Sequence, residues 1–287
     1  MGRIAYVNGR FTRHGLATVH IEDRGYQLAD AVYEVWALFD GRLADPEGHF
    51  ARLERSLAAL QIDMPMGRKA LTVVLKETVR QNRVREGMVY LQVSRGVAPR
   101  DHAFPTQPVA PAVVITVKAV DRTASEAKAA KGVGVITVLE NRWGRCDIKT
   151  VGLLPNALAK QAAKEKGAAE AWFVDDLGFV TEGASSNAWI VDHDGAVRTR
   201  GTNANILRGV TRHTLLDILA SEGIRVDQRP FTPAEAKAAK EAFTTGAGAL
   251  VLPVVAIDGD PVGDGTVGPV ASRLRRLYIA QARATAL

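Results

Sequence analysis

Apolar and polar positions in the first part of the chain follow two periods, one typical of strands and one of helices. Stretches rich in β-branched and aromatic side chains predict strands at residues 4–7, 31–39, 89–93 and 112–117. Apolar side chains three and four positions apart predict amphipathic helices at residues 49–60 and 68–82. Asn8-Gly9 and Asp40-Gly41 are dipeptides typical of tight hairpin turns. We therefore predict a small N-terminal α+β domain over residues 1–120.

The rest of the chain predicts a second, larger domain over residues 133–287. Its predicted strands are residues 133–139, 171–174, 187–191 and 250–257, and its predicted helices are residues 156–166, 206–222, 232–243 and 270–284. Thr232, Pro233 and Glu235 have the spacing of an N-cap with a capping box. Residues 121–132 are polar and small, so we place the connection between the domains there. An ordinary surface helix is the alternative for the latter half of that segment.

Composition places the chain among ordinary globular proteins. Its 287 residues are 47% hydrophobic and 24% charged, which argues against disorder and coiled-coil arrays. The single cysteine, Cys146, excludes an intramolecular disulfide framework and fits a reducing compartment. No apolar run approaches the ~20 residues of a membrane helix. Residues 1–10 contain a tight turn where a signal peptide requires an apolar stretch. We expect a cytoplasmic protein with no membrane partner.

The charge pattern argues against nucleic acid as a partner. The net charge is +6, from 37 basic and 31 acidic residues. Basic and acidic residues alternate along most segments, as on solvated helix faces, and no basic stripe is interleaved with aromatic residues. The sequence also lacks a P-loop, a dinucleotide-binding glycine pattern and paired zinc-ligand motifs, so we expect no metal site. The mild basicity fits small anionic ligands at least as well as nucleic acid.

Lys149 differs in its surroundings from the other lysines. It lies in an extended-looking stretch with apolar and β-branched neighbours, followed by Gly152 and Pro155. A partly desolvated lysine has a lowered pKa, and its neutral amine can attack a carbonyl group. The alternative is a structural lysine at a strand edge whose amine reaches solvent. From the residues alone, both interpretations stay open.

Glu182 lies in a polar connection, residues 181–187, between two predicted strands. A fixed carboxylate there can hold a protonated ring nitrogen, which a pyridinium cofactor requires. The alternative is an ordinary polar turn.

Arg100 and His102 follow a proline and are two positions apart, so in an extended segment they project to the same side. An arginine with an imidazole can clamp a small carboxylate, and a polar surface loop is the alternative. Tyr33 and Val35 likewise share one face of their predicted strand, while Glu34 points to the other.

Further residues have the properties of a phosphate site. Arg52 lies on the inner side of a predicted helix. Residues 209–211 lie near a predicted helix start, where free backbone N–H groups attract anions. Residues 246–248 (Gly-Ala-Gly) follow a predicted helix and would let the backbone approach a ligand closely.

Taken in order, these segments resemble the fold-type IV pyridoxal 5′-phosphate (PLP) enzymes, most closely the bacterial D-amino-acid transaminases. The matching segments are residues 22–27, 32–35, 49–53, 99–102, 147–149, 182–187 and 206–211. Together they extend over nearly the whole chain. The resemblance implies a two-domain α+β fold, in which the C-terminal domain has a β-barrel-like core with flanking helices. It also implies a homodimer.

The resemblance further implies roles for individual residues. Lys149 would form the Schiff base with PLP and shuttle the substrate proton, and Glu182 would keep the pyridine nitrogen protonated. Leu207 would pack against the ring. The 5′-phosphate would be held by Arg52, Val210, Thr211 and the N–H of Ala247.

For the substrate site, the resemblance implies that Tyr33, Arg100 and His102 bind the α-carboxylate, with Val35 beside them. The implied reaction converts D-alanine and 2-oxoglutarate to pyruvate and D-glutamate. The alternatives are a branched-chain L-amino-acid transaminase, an (R)-amine transaminase and an aminodeoxychorismate lyase of the same fold.

Overall fold

The chain forms two compact units. The computed structural model describes residues 3–202 and 205–287. Among these described residues, the first unit lies within residues 1–121, 148–152 and 285–287, and the second within residues 122–147 and 153–284. Residues 1 and 2 lie outside the described residues. The expected turn at Asn8-Gly9 is among the described residues.

The first unit consists of an antiparallel sheet and short helices. In chain order it contains β1 (Ile4–Val7), β2 (Arg10–Arg13), a 3₁₀ turn (His14–Leu16), α1 (Arg24–Leu28), β3 (Ala31–Phe39), β4 (Arg42–Leu43), α2 (Pro46–Ala59), α3 (Arg68–Asn82), β5 (Gly87–Ser94) and β6 (Ala112–Ala119). Among the described residues, the sheet has six strands in the order β2-β1-β6-β5-β3-β4. The predicted strands and helices of this region are confirmed.

Both predicted hairpin turns adopt the expected backbone conformation. Asn8 and Gly9 have φ values of 44° and 92°, and Asp40 and Gly41 have φ values of 52° and 78°. Positive φ at both central residues defines the turn type whose twist matches that of the flanking strands. These dipeptides therefore join β1 to β2 and β3 to β4.

One face of this sheet packs against helical side chains. Val32 and Trp36 of β3 are fully buried in a cluster with Leu53 of α2 and Leu75 of α3. Because side chains alternate along a strand, the residues between them, such as Tyr33, lie on the opposite face, which is half-buried. The two faces of β3 therefore differ: one is core and the other is accessible.

A short segment from the middle of the chain belongs to the first unit. Thr150 forms an antiparallel bridge with Val32, and the Val151 N–H donates to Ala31 O at 3.2 Å. Ile148 is buried in the core of the same unit. The prediction assigned all of residues 133–287 to one domain. The grouping in the structure differs because residues 148–152 form their backbone hydrogen bonds along β3.

The second unit combines a large mixed sheet with helices. In chain order it contains α4 (Arg122–Lys131), β7 (Val133–Leu139), α5 (Leu154–Glu165), β8 (Glu170–Val174), β9 (Val180–Gly183), β10 (Asn187–Val191), β11 (Val197–Thr199), α6 (Val210–Ser221), β12 (Val226–Asp227), α7 (Pro233–Ala238), β13 (Glu241–Gly246), β14 (Leu250–Ile257), β15 (Asp260–Pro261) and α8 (Pro269–Ala284). Within the described residues, its nine strands include the ordered path β12-β11-β10-β13-β14-β7-β8-β9, with β15 paired to β14. This sheet curls into a half barrel, as expected for the fold.

The structure differs from the prediction at three elements of this unit. Residues 121–132, where we placed a connection, are mostly the helix α4. The helix predicted at 206–222 begins only at Val210. The helix predicted at 232–243 has the expected capping box at Thr232 but ends at Ala238, because the following residues pair with β10 and β14 as strand β13. In the described part of the chain, no helix is long and apolar enough to cross a bilayer.

Candidate active site

Lys149 is held by its backbone against β3 and α2. Its carbonyl oxygen accepts from the Tyr33 N–H at 2.9 Å, and its own N–H donates to Ser56 Oγ at 3.3 Å. The side chain is half-buried, and its Nζ lies 4.1 Å from the centroid of the Tyr33 ring. An aromatic face attracts a cationic amine at this distance. The amine is therefore positioned on the accessible face of β3.

That face carries further polar and aromatic groups. The Tyr33 ring stacks on Tyr90 of β5 at a centroid distance of 5.6 Å, and Tyr90 Oη donates to Gln92 Oε1 at 2.7 Å. Burial, with a smaller contribution from Tyr33, raises the pKa of Tyr90 to about 12, so its hydroxyl remains protonated at neutral pH. Val35 pairs with Tyr90 in the sheet register. Sequence reasoning missed Tyr90 and Gln92, whose period-two spacing was the available signal.

Arg52 lies in a buried charged network on the opposite face of β3. Its Nε and Nη2 both donate to the Glu34 carboxylate at 2.7 Å, and Glu34 is fully buried, as its predicted orientation implied. His49 Nδ1 lies 2.7 Å from the same carboxylate. Burial, the largest single influence, acts to raise the pKa of Glu34, but the charge of Arg52 and the hydrogen bonds from Arg52 and His49 together lower it to about 2. Burial lowers the pKa of His49 despite its carboxylate partner, so a neutral imidazole donates to an ionised Glu34.

Arg52 is also close, along its helix, to the Lys149 segment. Ser56, which accepts the Lys149 N–H, lies four positions after Arg52 on α2. Residues four apart lie on the same face of a helix. The first unit thus places Arg52 one helical turn from the residue that binds the Lys149 backbone. The roles of Glu34 and His49 beside Arg52 were not predicted.

Arg100 and His102 lie in the β5–β6 loop (residues 95–111), and both side chains are exposed. Arg24 Nη1 donates to the backbone oxygen of Asp101, between them, at 2.6 Å. The segment that carries the predicted carboxylate clamp is therefore held to the first unit by a hydrogen bond to the backbone of Asp101.

In the second unit, Glu182 lies at the end of β9 and is nearly fully buried. Its Oε1 accepts from Arg142 Nη1 at 2.6 Å and its Oε2 from Asn187 Nδ2 at 3.0 Å. The Leu207 N–H lies 3.1 Å from both oxygens. Charged and neutral donors of this kind fix the orientation of the carboxylate. The observed contact of Leu207 is therefore between its backbone N–H and Glu182. The predicted contact of the Leu207 side chain with the cofactor ring is a separate matter and stays a prediction.

Arg142 links two carboxylates and was missed by sequence reasoning. It donates to Glu140 through Nε at 2.9 Å and Nη2 at 2.7 Å, and its guanidinium lies 4.5 Å from the centroid of the Phe173 ring. Burial acts to lower the pKa of Arg142, but the hydrogen bonds to Glu140 and the charge of Glu182 together raise it. A permanently charged guanidinium therefore stands beside Glu182. Its only signal in the sequence was an arginine two positions after a glutamate beyond a strand.

Two other candidate phosphate residues, Val210 and Thr211, form the first turn of helix α6. Among the described residues, no side chain caps this turn, so its N–H groups are available to an anion. Val210 and Thr211 are buried, and Thr211 Oγ1 lies 3.4 Å from Tyr278 Oη. A Cβ on Gly209 would lie 2.0 Å from Asn187 Oδ1, so no side chain fits before the helix without displacing Asn187.

Ala247 lies in a turn between β13 and β14 and is half-buried. The expectation that residues 246–248 follow a helix is wrong, because residues 241–246 are a strand. Gly246 packs closely against another loop, since a Cβ there would lie 3.0 Å from Ser185 O, and the approach of this backbone to a ligand stays a prediction.

Sequence comparison identifies the family. The profile described as Amino-transferase class IV matches residues 31–257, and the chain belongs to this family. It is similar to a D-alanine aminotransferase of Staphylococcus haemolyticus, with 40% identity over 94% of each chain. It is also similar to the D-alanine aminotransferase of Bacillus licheniformis, with 38% identity over 93% of each chain.

Solved structures share the fold. A T.th. branched-chain amino acid aminotransferase with pyridoxamine 5′-phosphate has a TM-score of 0.86 and 27% identity, covering 99% of this chain and 95% of that one. The Escherichia coli branched-chain enzyme has a TM-score of 0.89 at 21% identity, covering 98% and 95%. The protein is a fold-type IV aminotransferase, and the cofactor of this class is PLP.

The residues present fit that cofactor. An aldehyde requires an amine, and Lys149 supplies one that is half-buried and held in place by its backbone. A protonated ring nitrogen requires a fixed anion, and Glu182 is oriented by Arg142 and Asn187. A phosphate dianion fits the uncapped first turn of α6.

Proposed function

We propose that this aminotransferase transfers the amino group of D-alanine to 2-oxoglutarate, forming pyruvate and D-glutamate. The observation that carries the proposal is the 40% identity, over 94% of the chain, to a relative named D-alanine aminotransferase. The positioned amine of Lys149 above Tyr33 supports it.

In this proposal the chain's own groups bind, orient and move protons. When bound, PLP supplies an aldehyde that condenses with amines and a protonated ring that withdraws electrons. Lys149 Nζ would hold the cofactor through its aldehyde and would move the proton at the substrate α-carbon. Glu182 would keep the ring nitrogen protonated, and Arg142 fixes the position of the Glu182 carboxylate. The Leu207 side chain covers the ring.

We assign the remaining predicted residues to the two anionic groups. The 5′-phosphate is held by Arg52, Val210, Thr211 and Ala247. The substrate α-carboxylate is bound by Tyr33, Arg100 and His102, with Val35 beside it on the Tyr33 face. A guanidinium paired with an imidazole suits a carboxylate because both donate charge-assisted hydrogen bonds.

The direct test is a substrate screen with 2-oxoglutarate as acceptor. We expect pyruvate and D-glutamate from D-alanine and little turnover of L-leucine or L-valine. Turnover of L-leucine without D-alanine would establish a branched-chain enzyme, the activity named for the two structural neighbours. Pyruvate release from aminodeoxychorismate without an amino acceptor would establish a lyase. Turnover of (R)-amines alone would establish an amine transaminase.

The lysine assignment has its own test. Borohydride reduction of the holoenzyme followed by peptide mapping should place the pyridoxyl group on Lys149. Lys149→Ala should abolish the label and the activity. Lys160→Ala is the matched control, because Lys160 is also partly buried and donates to a backbone oxygen, that of Ala169, at 2.7 Å. A pyridoxyl label on any other lysine would overturn the assignment.

We further propose a cytoplasmic homodimer. The single cysteine supports a reducing compartment. Leu154 and Leu158, one turn apart on α5, are 71% and 60% exposed, and such an apolar strip is typical of a surface that another chain covers. Analytical ultracentrifugation of the holoenzyme should give twice the chain mass of 30.8 kDa. Leu158→Glu should shift the sedimentation toward that chain mass, and a wild type that sediments as a monomer would contradict the proposal.

A further inference from the structure

Two buried arginines converge on one carboxylate beside the β5–β6 loop. Arg24 Nε donates to Asp30 Oδ2 at 2.8 Å, and Arg95 donates to Asp30 through Nε at 2.7 Å and Nη2 at 3.0 Å. Arg24 is 2% exposed and Arg95 is 8% exposed. We call these three residues the Asp30 cluster. Buried charges of this kind are retained only where their donors are satisfied.

One carboxylate does not neutralise two guanidinium groups, and the remaining donors bind backbone oxygens. Arg95 donates to the oxygens of Leu60 and Gln61, just beyond α2, at 2.7 Å and 2.9 Å. Arg24 donates to the oxygen of Asp101 at 2.6 Å. The Asp30 cluster therefore connects three segments: the start of β3, the end of α2 and the β5–β6 loop.

The loop is held at a second point by an aromatic contact. The Arg95 guanidinium carbon lies 3.7 Å from the centroid of the Phe104 ring. Phe104 is 49% exposed, so this contact and not burial in a core fixes its ring. The two contact points on the loop, Asp101 and Phe104, lie on either side of His102 in the sequence. Asp101 also directly follows Arg100.

The base of the loop is restricted by its backbone. The Arg24 N–H donates to Gly96 O at 2.9 Å, and the Arg95 N–H donates to Asp30 O at 3.1 Å. Gly96 has φ +106°, and a Cβ there would lie 2.1 Å from Ala110 O. The two ends of the loop are therefore close together, and only its middle depends on the side chains of the Asp30 cluster.

We propose that Arg24 and Arg95, joined through Asp30, are positioning residues that hold Arg100 and His102 for the substrate carboxylate. The proposal rests on the role proposed above for Arg100 and His102. Both of those side chains are exposed, so their placement depends on the loop backbone that Arg24 and Phe104 fix.

Two mild substitutions separate anchoring from folding. Arg24→Lys keeps a cation at Asp30 but lacks the forked donors that reach Asp101. Phe104→Leu removes the ring and leaves the Asp30 cluster intact, while Phe104→Tyr restores a ring. Arg198→Lys in the second unit is the matched control, because Arg198 is similarly buried and binds two carboxylates, those of Asp192 and Glu235.

The experiment combines steady-state kinetics with hydrogen exchange on the holoenzyme. For Arg24→Lys we expect the KM for D-alanine to rise about tenfold, and for Phe104→Leu about threefold, with kcat nearly unchanged. Phe104→Tyr and Arg198→Lys should keep the wild-type KM. Amide exchange in a peptide spanning residues 98–106 should accelerate in Arg24→Lys, while exchange in β6 and the cofactor absorbance stay constant.

Unchanged exchange in the 98–106 peptide of Arg24→Lys would overturn the anchoring. Faster exchange with an unchanged KM would overturn the link to substrate binding, as would an equal rise in KM in Arg198→Lys. A wild type that uses another amino acid would refute the proposed function instead. The KM for that amino acid would then provide the same test of positioning.

Discussion

The buried Glu34–Arg52 pair leads to a quantitative prediction about stability. Glu34→Gln keeps the shape of the side chain but removes its charge, leaving the nearly buried Arg52 without its carboxylate partner. The pKa of Glu34 is lowered from 4.5 to about 2 in the fold. At about 1.4 kcal/mol per pKa unit, this difference corresponds to about 3 kcal/mol of stabilisation at neutral pH. Breaking a buried ion pair typically costs about 3–5 kcal/mol, which agrees.

The dependence on pH has a definite sign. Because the folded pKa of Glu34 lies below its ordinary value, its ionised form stabilises the fold fully above pH 4.5, and this contribution is lost as the pH falls toward 2. Thermal melts of the holoenzyme should therefore show Glu34→Gln melting roughly 5–10 °C below wild type at pH 7. The difference between the two proteins should be clearly smaller at pH 3, since protonation of Glu34 in the unfolded chain then removes much of this stabilisation.

The control variant lies on α2, the helix that carries Arg52. Glu54→Gln removes a carboxylate whose side chain is 41% exposed and that pairs with Arg68 at the surface. Exposed pairs contribute roughly 0–1 kcal/mol, so this variant should melt within about 3 °C of wild type at both pH values. If Glu34→Gln also melts within this margin at pH 7, or if its difference from wild type is the same at pH 3, the reasoning about the buried pair is refuted.

Three further predictions concern the second unit. Arg142→Met removes the donor 2.6 Å from Glu182, so turnover measured by steady-state kinetics should fall about ten- to hundredfold. A fall of less than threefold would contradict the role of Arg142 in holding Glu182. Gly209→Ala places a Cβ 2.0 Å from Asn187 Oδ1, so the variant should lose PLP during dialysis at least several-fold faster than wild type, as measured by absorbance. Full retention of PLP would argue against the assignment of this helix start to the phosphate. Thr232→Ala removes a capping box, and thermal melts should show about 1 kcal/mol of destabilisation with unchanged activity, an outcome that a wild-type melting temperature would exclude.

Local patterns predicted most elements of the fold. The strand Ala31–Phe39 and the helix Arg68–Asn82 have the predicted bounds, as do the strands Val133–Leu139 and Leu250–Ile257. In each, the spacing of apolar residues agrees with the period of the element. Turns with two positive φ values were likewise visible as Asn-Gly and Asp-Gly.

The predictions that differ from the structure lie where partners distant in the chain decide the conformation. Residues 241–243 have a helical pattern in continuation of α7, but hydrogen bonds from β10 and β14 make them part of a strand. Residues 206–209 precede α6, because the Leu207 backbone binds Glu182 and Gly209 packs against Asn187. Pairing across a sheet outweighs helix propensity, which amounts to only tenths of a kcal/mol per residue.

The sequence by itself determined the family, the periodic elements and the candidate groups, because these depend on residue type, spacing and order. Only the tertiary structure decided which groups meet: Arg52 with Glu34, Arg142 with Glu182, and Asp30 with Arg24 and Arg95. These partners are 18, 40, 6 and 65 positions apart. Their side chains come together because strand pairing and helix packing bury them side by side, and a buried charge must find an opposite charge or a hydrogen-bond partner.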